Sequence, residues 1–192
     1  MDTERYLMVL AEIDRLLESD KEVILVAIDG RCASGKTTLG NYLSQQYDCN
    51  LFHMDDFFPQ PYQRTEERLS EPGGNLDRER FLTEVLQPLQ EKRDVAYRVF
   101  DCQTLDFKPT VTIPFKRLNI IEGAYSQHPY FLDAYDLRIF SDITPEQQLE
   151  NLKRRKPEAV EAFQNKWIPR EELYFDTYDI RKDNLIVTWP QD

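Results

Sequence analysis

Gly30-Arg31-Cys32-Ala33-Ser34-Gly35-Lys36-Thr37 stands between two segments of different character. Before it runs Val23-Ile24-Leu25-Val26-Ala27-Ile28, an aliphatic stretch that predicts a buried strand. After it, Thr38-Leu39-Gly40-Asn41-Tyr42-Leu43 places Leu39 and Leu43 on one side of an amphipathic helix. Strand, glycine-bounded loop and helix together make a phosphate-binding loop, a much stronger reading than the bare glycine pattern allows. Gly30 and Gly35 open backbone angles closed to other residues. The loop amides can then face an anion, with the helix dipole adding positive potential. Lys36 would reach β- and γ-phosphates, and the Thr37 hydroxyl would hold Mg²⁺. The expected ligand is a nucleoside triphosphate.

The bulk properties set the outer limits. A chain of 192 residues suits one domain spanning 1–192, large enough to bury most of its apolar surface. Its longest aliphatic run, Val23 to Ile28, is far short of a membrane span. Met1-Asp2-Thr3-Glu4-Arg5 is acidic and has no apolar signal core, so no export and a cytoplasmic location are expected. Cys32, Cys49 and Cys102 show neither pairing nor metal spacing, which reads as reduced thiols. A net charge of −11 argues against a nucleic-acid surface and otherwise favours solubility. No membrane partner is expected, and the oligomeric state is left open, a homo-oligomer included.

A pass along the chain predicts an opening helix within residues 1–20, over roughly 4–18, with Leu7, Leu10, Ile13 and Leu17 on one face. A second strand, Asn50 to Met54, ends at Asp55-Asp56. Residues 57–76 are rich in proline, glycine and charge and read as a mobile excursion over the surface. Asp77 can cap a helix over about 78–92 that buries Phe81, Val85 and Leu89. A hairpin is expected over about 97–114, with Pro109 and Pro114 bounding its second arm. Leu118 to Ile121, Leu137 to Phe140 and Asn184 to Val187 supply further strands, and Pro145 to Arg155 a polar helix within a lid region, 145–166. This alternation predicts an α/β fold with a central parallel sheet flanked by helices.

In such sheets ligands sit beyond the carboxyl ends of the strands. Asp55 follows the second strand and Glu122 ends the third, so both fall on the rim of the phosphate loop. One carboxylate there can take a hydroxyl proton and another can hold Mg²⁺. Asp142 also reaches that rim, but a role next to the Pro145 helix accounts for it. His53 and His128 receive no role from the sequence, and Cys32 reads as a small residue at a variable loop position.

The order of these segments then resembles a known family. The phosphate loop, His53-Met54-Asp55-Asp56-Phe57-Phe58, Gly73-Gly74-Asn75-Leu76-Asp77 and Ile121-Glu122-Gly123 follow one another as in the uridine kinase-like branch of the P-loop kinases, whose relatives include phosphoribulokinase and bacterial pantothenate kinase. The likeness runs from about Val23 to Val187 and is closest to small bacterial uridine kinase-like proteins, through Glu122-Gly123-Ala124-Tyr125-Ser126 and Trp167-Ile168-Pro169. It implies a P-loop NTPase three-layer fold with a small β-hairpin and a lid, using ATP and Mg²⁺ to phosphorylate a hydroxyl of a small molecule, a nucleoside such as uridine or cytidine first among them.

By position, the resemblance gives Asp55 the acceptor's proton and Asp77 the acceptor's sugar hydroxyls. Glu122 would lie near the metal with Thr37 and Asp55. Gly30, Arg31, Cys32, Ala33, Ser34, Gly35, Lys36, Thr37 and Thr38 would bind ATP, with Arg154 and Arg155 as lid arginines. Phe58, Phe100, Glu122 and Tyr125 would border the acceptor. Lys153-Arg154-Arg155-Lys156 reads equally as a solvated helix face. The chain also departs from uridine kinases. Phe100 replaces a hairpin tyrosine and no histidine follows it, Phe58 replaces a common tyrosine, and the arginine-rich lid is short. Another small sugar- or alcohol-bearing metabolite, or a nucleotide-dependent ATPase or switch, therefore stays open as an alternative.

Overall fold

The aliphatic runs assemble into one sheet in the computed structural model, which describes residues 4–188; the reading of Met1 to Thr3 lies outside the described residues. The strands are β1 (Ile24–Gly30), β2 (Cys49–His53), β5 (Leu118–Glu122), β6 (Leu137–Asp142) and β7 (Leu185–Thr188), with β3 (Val95–Asp101) and β4 (Asp106–Ile113) forming a separate hairpin. The sheet order is β2-β5-β1-β6-β7, and each pairing within it is parallel. Every residue of β1 is buried, as a central strand covered on both faces requires.

Side-chain alternation divides the core into two layers. Ile24, Val26 and Ile28 pack with Val9, Ile13, Leu39 and Leu43, from α1 (Leu7–Leu17) and α2 (Lys36–Gln46). Leu25 faces the other way, toward the cluster containing Phe52, Val85, Phe140 and Phe175. The buried stripe of α1 is Val9, Ile13 and Leu16, whereas Leu7, expected inside, is 58% exposed. Both stripes have helical spacing. Tyr6, buried against the Tyr42 ring at 5.1 Å, extends the one that faces inward. Among the described residues no helix is long and apolar enough to cross a membrane.

The 57–76 excursion contains short helical turns, including Pro61–Gln63 and α3 (Glu66–Ser70), whose cap Thr65 accepts from the Arg68 amide. Arg68 also donates to the carbonyls of Gly74 and Leu76 and pairs with Glu79, fixing the glycine turn. A continuous helix, α4 (78–90), follows, with a π-helical middle at Leu82–Leu86. Phe81, Val85 and Leu89 are fully buried on it, each contributing roughly 1.5–3 kcal/mol. The hairpin docks where Tyr97 stacks on Phe57 at 5.2 Å. Pro109, expected to bound its second arm, lies inside β4. The register slips there from Arg98↔Thr110 to Phe100↔Phe107, and a bulge tolerates a residue without an N–H.

Two helices complete the frame of the site: α5 (Pro145–Arg155), capped by Thr144, and α6 (Ile168–Thr177), entered through a π-helical turn at Phe163–Trp167.

Candidate active site

Register places the ends of four strands on one rim. His53 lies level with Glu122, Glu122 with Ile28, and Gly30 with Ser141. The phosphate loop rises from this rim between β1 and α2. Gly30 has φ +133°, and a β-carbon there would sit 2.0 Å from the Ser141 carbonyl oxygen. Gly35, at φ +88°, turns the chain into α2 in the left-handed region.

Neighbouring side chains hold the loop by its backbone. Ser141 Oγ donates to the Ser34 carbonyl at 2.8 Å, Gln148 Nε2 to that of Cys32 at 3.1 Å, and Asn151 Nδ2 to that of Ala33 at 3.0 Å. Lys36 Nζ donates to the carbonyls of Gly30 and Arg31 at 2.6 and 2.8 Å. The loop carbonyls are thus engaged from within the protein, and the first amides of α2 have no intrahelical acceptor, which suits an anion. Beneath the loop, Asp29 is fully buried and accepts from Gly30 N, Gln127 N and the Tyr174 hydroxyl. Burial pushes its carboxyl up, against the pull of Lys36.

A cavity of about 1600 Å³ opens over this rim. It is lined by the loop from Cys32 to Thr38, by Asp55 and Phe58 after β2, by Glu122 and Tyr125 after β5, and by Arg154 and Arg155 at the end of α5. These are the residues the sequence singled out, brought together from distant segments. Thr37 Oγ1 donates to Glu122 Oε1 at 3.0 Å. A hydroxyl and a carboxylate beside the loop are hard oxygen donors of the kind Mg²⁺ takes while retaining water and phosphate ligands. Among the described residues no group of three or more His, Cys, Asp and Glu side chains could hold a metal, so the protein would supply only part of the shell.

The adjacent aspartates separate. Asp55 is exposed to the cavity on the 3₁₀ turn Met54–Phe57. Asp56 points to the hairpin, where its Oδ2 accepts the Tyr97 hydroxyl at 3.0 Å.

Three of the expected side chains, Asp77, Phe100 and Arg31, lie outside the cavity lining. Asp77 is buried outside the cavity lining, where it caps α4 through the Arg80 amide and accepts Gln63 Nε2 at 3.0 Å. Phe100 is buried edge-on against Phe107 and also lies outside the lining. The Arg31 side chain turns away to grip Glu172 at 2.8 Å and the Ile143 carbonyl. The sequence located Asp77's cap correctly but could not show that two glutamines from the excursion would occupy its carboxylate.

Two further side chains carry no assignment from the sequence. His53 Nδ1 lies 2.6 Å from the same Glu122 oxygen that Thr37 contacts, and this bond holds the imidazole above its ordinary value. The signal was available: His53 and Glu122 each end a strand, and adjacent parallel strands set such ends side by side. Glu171 gave no signal, because α6 enters the site from 139 residues beyond Cys32, whose amide donates to its Oε2 at 2.9 Å. Burial pushes the Glu171 carboxyl up to about 7, with Lys36 opposing. The Cys32 thiol beside it is pushed up to about 12 by burial and by Glu171, which makes it an inert sulfur.

Glu171 therefore costs stability as it ionises. The native carboxyl holds its proton more tightly than the unfolded one, so the penalty is absent below its ordinary 4.5, grows as pH rises, and is complete above about 7. Glu171→Gln removes the charge and keeps an acceptor for the Cys32 amide. Its gain in thermal stability over the parent should be small near pH 4.5 and reach up to about 3 kcal/mol above pH 7.5. Melting curves across that range check this; a difference independent of pH refutes the buried charge.

Solved structures of similar fold include a possible uridine kinase from Bacillus stearothermophilus, with TM-score 0.68 and 22% identity over 94% of this chain and 99% of that one. A candidate fructose transport system kinase from Silicibacter sp. TM1040 gives TM-score 0.69 and 23% identity, over 97% and 98% of the two chains. D-glycerate 3-kinase from Cryptococcus neoformans var. grubii gives TM-score 0.58 and 18% identity, over 88% and 86%. At these identities the likeness is one of fold, a parallel sheet between helical layers. No protein-family model matches the chain, and a search of curated proteins finds no match.

Proposed function

We propose that this chain is an ATP-dependent kinase that transfers the γ-phosphoryl group to a hydroxyl of a small metabolite. The observation that carries the reading is the single cavity wall shared by the phosphate loop with Lys36, the Thr37–Glu122 pair and the exposed carboxylate of Asp55. Anion cradle, metal donors and proton acceptor are the parts phosphoryl transfer needs.

In this reading Lys36 and the loop amides bear on the charge of the β- and γ-phosphates. Mg²⁺, held by Thr37 and Glu122, would add positive charge at those oxygens. His53 holds the same Glu122 oxygen that Thr37 contacts. Asp55 orients the acceptor hydroxyl and takes its proton. Arg154 and Arg155, which line the cavity, suit phosphate oxygens because a guanidinium meets them in a planar fork.

Uridine and cytidine are the acceptors implied by the sequence likeness. A second reading, a sugar- or alcohol-bearing metabolite other than a nucleoside, is favoured by the retreat of Asp77 and Phe100 from the cavity wall. ADP release measured with Mg²⁺ and ATP against nucleosides, sugars and hydroxy acids tests both. Release that depends on an acceptor is expected. Hydrolysis at one rate whatever is added would replace the kinase reading with that of an ATPase or switch.

A further inference from the structure

We propose that the acceptor carries an anionic group, a carboxylate or a phosphate, and that Arg64 recognises it; this rests on the kinase reading above. Arg64 lines the same cavity as Asp55, on the wall formed by the segment after β2 and the tip of the hairpin. Its Nε donates to the Pro59 carbonyl at 2.7 Å, and Nη2 lies 3.6 Å from Cys102 Sγ. The guanidinium sits over the Phe100 ring at 5.7 Å. These contacts aim and brace the group while leaving Nη1 for a ligand.

Its neighbours in sequence are all paired. Arg68 pairs with Glu79, Arg78 with Glu71, and Arg80 with Glu84. Arg64, half-buried in a chain with 35 acidic and 24 basic residues, has no carboxylate within ion-pair distance among the described residues. Taking a guanidinium partly out of water without a counter-charge is unfavourable unless something supplies one. In the kinase reading the nucleotide phosphates would draw on Lys36, Arg154 and Arg155, which line the cavity from the loop and α5. Arg64 stands on the elements that border Asp55, so its counter-charge belongs to the molecule whose hydroxyl Asp55 engages. A neutral polyol or nucleoside would leave that charge unmatched.

The test is acceptor-dependent ADP release by the full chain with matched pairs: glycerate against glycerol, gluconate against glucose, and ribose 5-phosphate against ribose, with uridine and cytidine alongside. The carboxylate and phosphate arms separate the two sources of charge. The anionic member of at least one pair is expected to be the better substrate. Arg64→Met should lower kcat/KM for that member roughly 10- to 100-fold, mainly through KM, and leave its neutral twin alone. Arg64→Lys should recover part of the loss. If Arg64 only staples Pro59 to the hairpin tip, Arg64→Met will depress both members alike, which overturns the proposal. Equal use of neutral and anionic members by the parent protein also overturns it. Phosphorylation of uridine or cytidine with every anion rejected removes the anion proposal and leaves the kinase reading standing. No acceptor-dependent release from any compound removes both.

Discussion

Asp55→Asn is expected to lower acceptor-dependent turnover by about 10² to 10⁴ while ATP binding is retained, the loss typical of removing a general base. Asparagine keeps the size and hydrogen-bonding reach of the side chain but cannot take a proton. Among the described residues, the two carboxylates set nearest by sequence and register are otherwise engaged. Asp56, the adjacent carboxylate, is turned to the hairpin and already accepts the Tyr97 hydroxyl, while Arg80 donates to its backbone carbonyl at 2.9 Å. Glu122 is occupied by Thr37 and His53 on one oxygen and is only 4% exposed. Asp55 itself makes no structural contribution of that kind on its exposed turn, so the variant should melt at the parent's temperature. Single-turnover ADP formation and titration with a non-hydrolysable ATP analogue separate chemistry from binding. Normal turnover in the variant would take Asp55 out of the proton path.

The legible part of this site is the part built from local sequence. A strand, a glycine-bounded loop and a helix are contiguous, and their chemistry is written within twenty residues of one another. Asp55 and Glu122 were readable for a different reason: both end aliphatic runs, and a parallel sheet carries all such ends to one rim. His53 was within reach of the same logic. It needed the register His53↔Glu122, which follows once β2 and β5 are neighbours.

What stayed hidden depends on elements that meet only in the folded chain. Glu171, Gln148 and Asn151 look like ordinary polar residues of helices until α5 and α6 pack on the loop. Asp77 shows the converse. The resemblance implied sugar hydroxyls for its carboxylate, whereas in the fold Gln60 and Gln63 turn back onto it from an excursion whose turns the composition did not reveal. The stripe of α1 was ambiguous because two apolar rows share Ile13, and the packing of Val9 and Leu16 against β1, extended by Tyr6 on Tyr42, separates them.

Lys36→Met is expected to cost about 10² to 10³ in turnover, comparable to deleting one preorganised charge-stabilising donor, and to weaken ATP binding as well. The ammonium is buried and bridges the carbonyls of Gly30 and Arg31, so methionine removes a cation and leaves two acceptors short of a donor. That second loss falls on stability, at about 1–3 kcal/mol. Lys36 also opposes the rise of the Asp29 and Glu171 carboxyls. Without it both hold their protons more tightly in the native state, so the added instability should grow as pH rises and these groups ionise. The two effects separate experimentally, because adding Glu171→Gln to Lys36→Met should restore part of the stability above pH 7 and none of the turnover. Melting curves and ADP release on the single and double variants would show it. Restored stability accompanied by restored catalysis would mean that Lys36 serves the fold alone, and the loop would then no longer support a phosphoryl-transfer site.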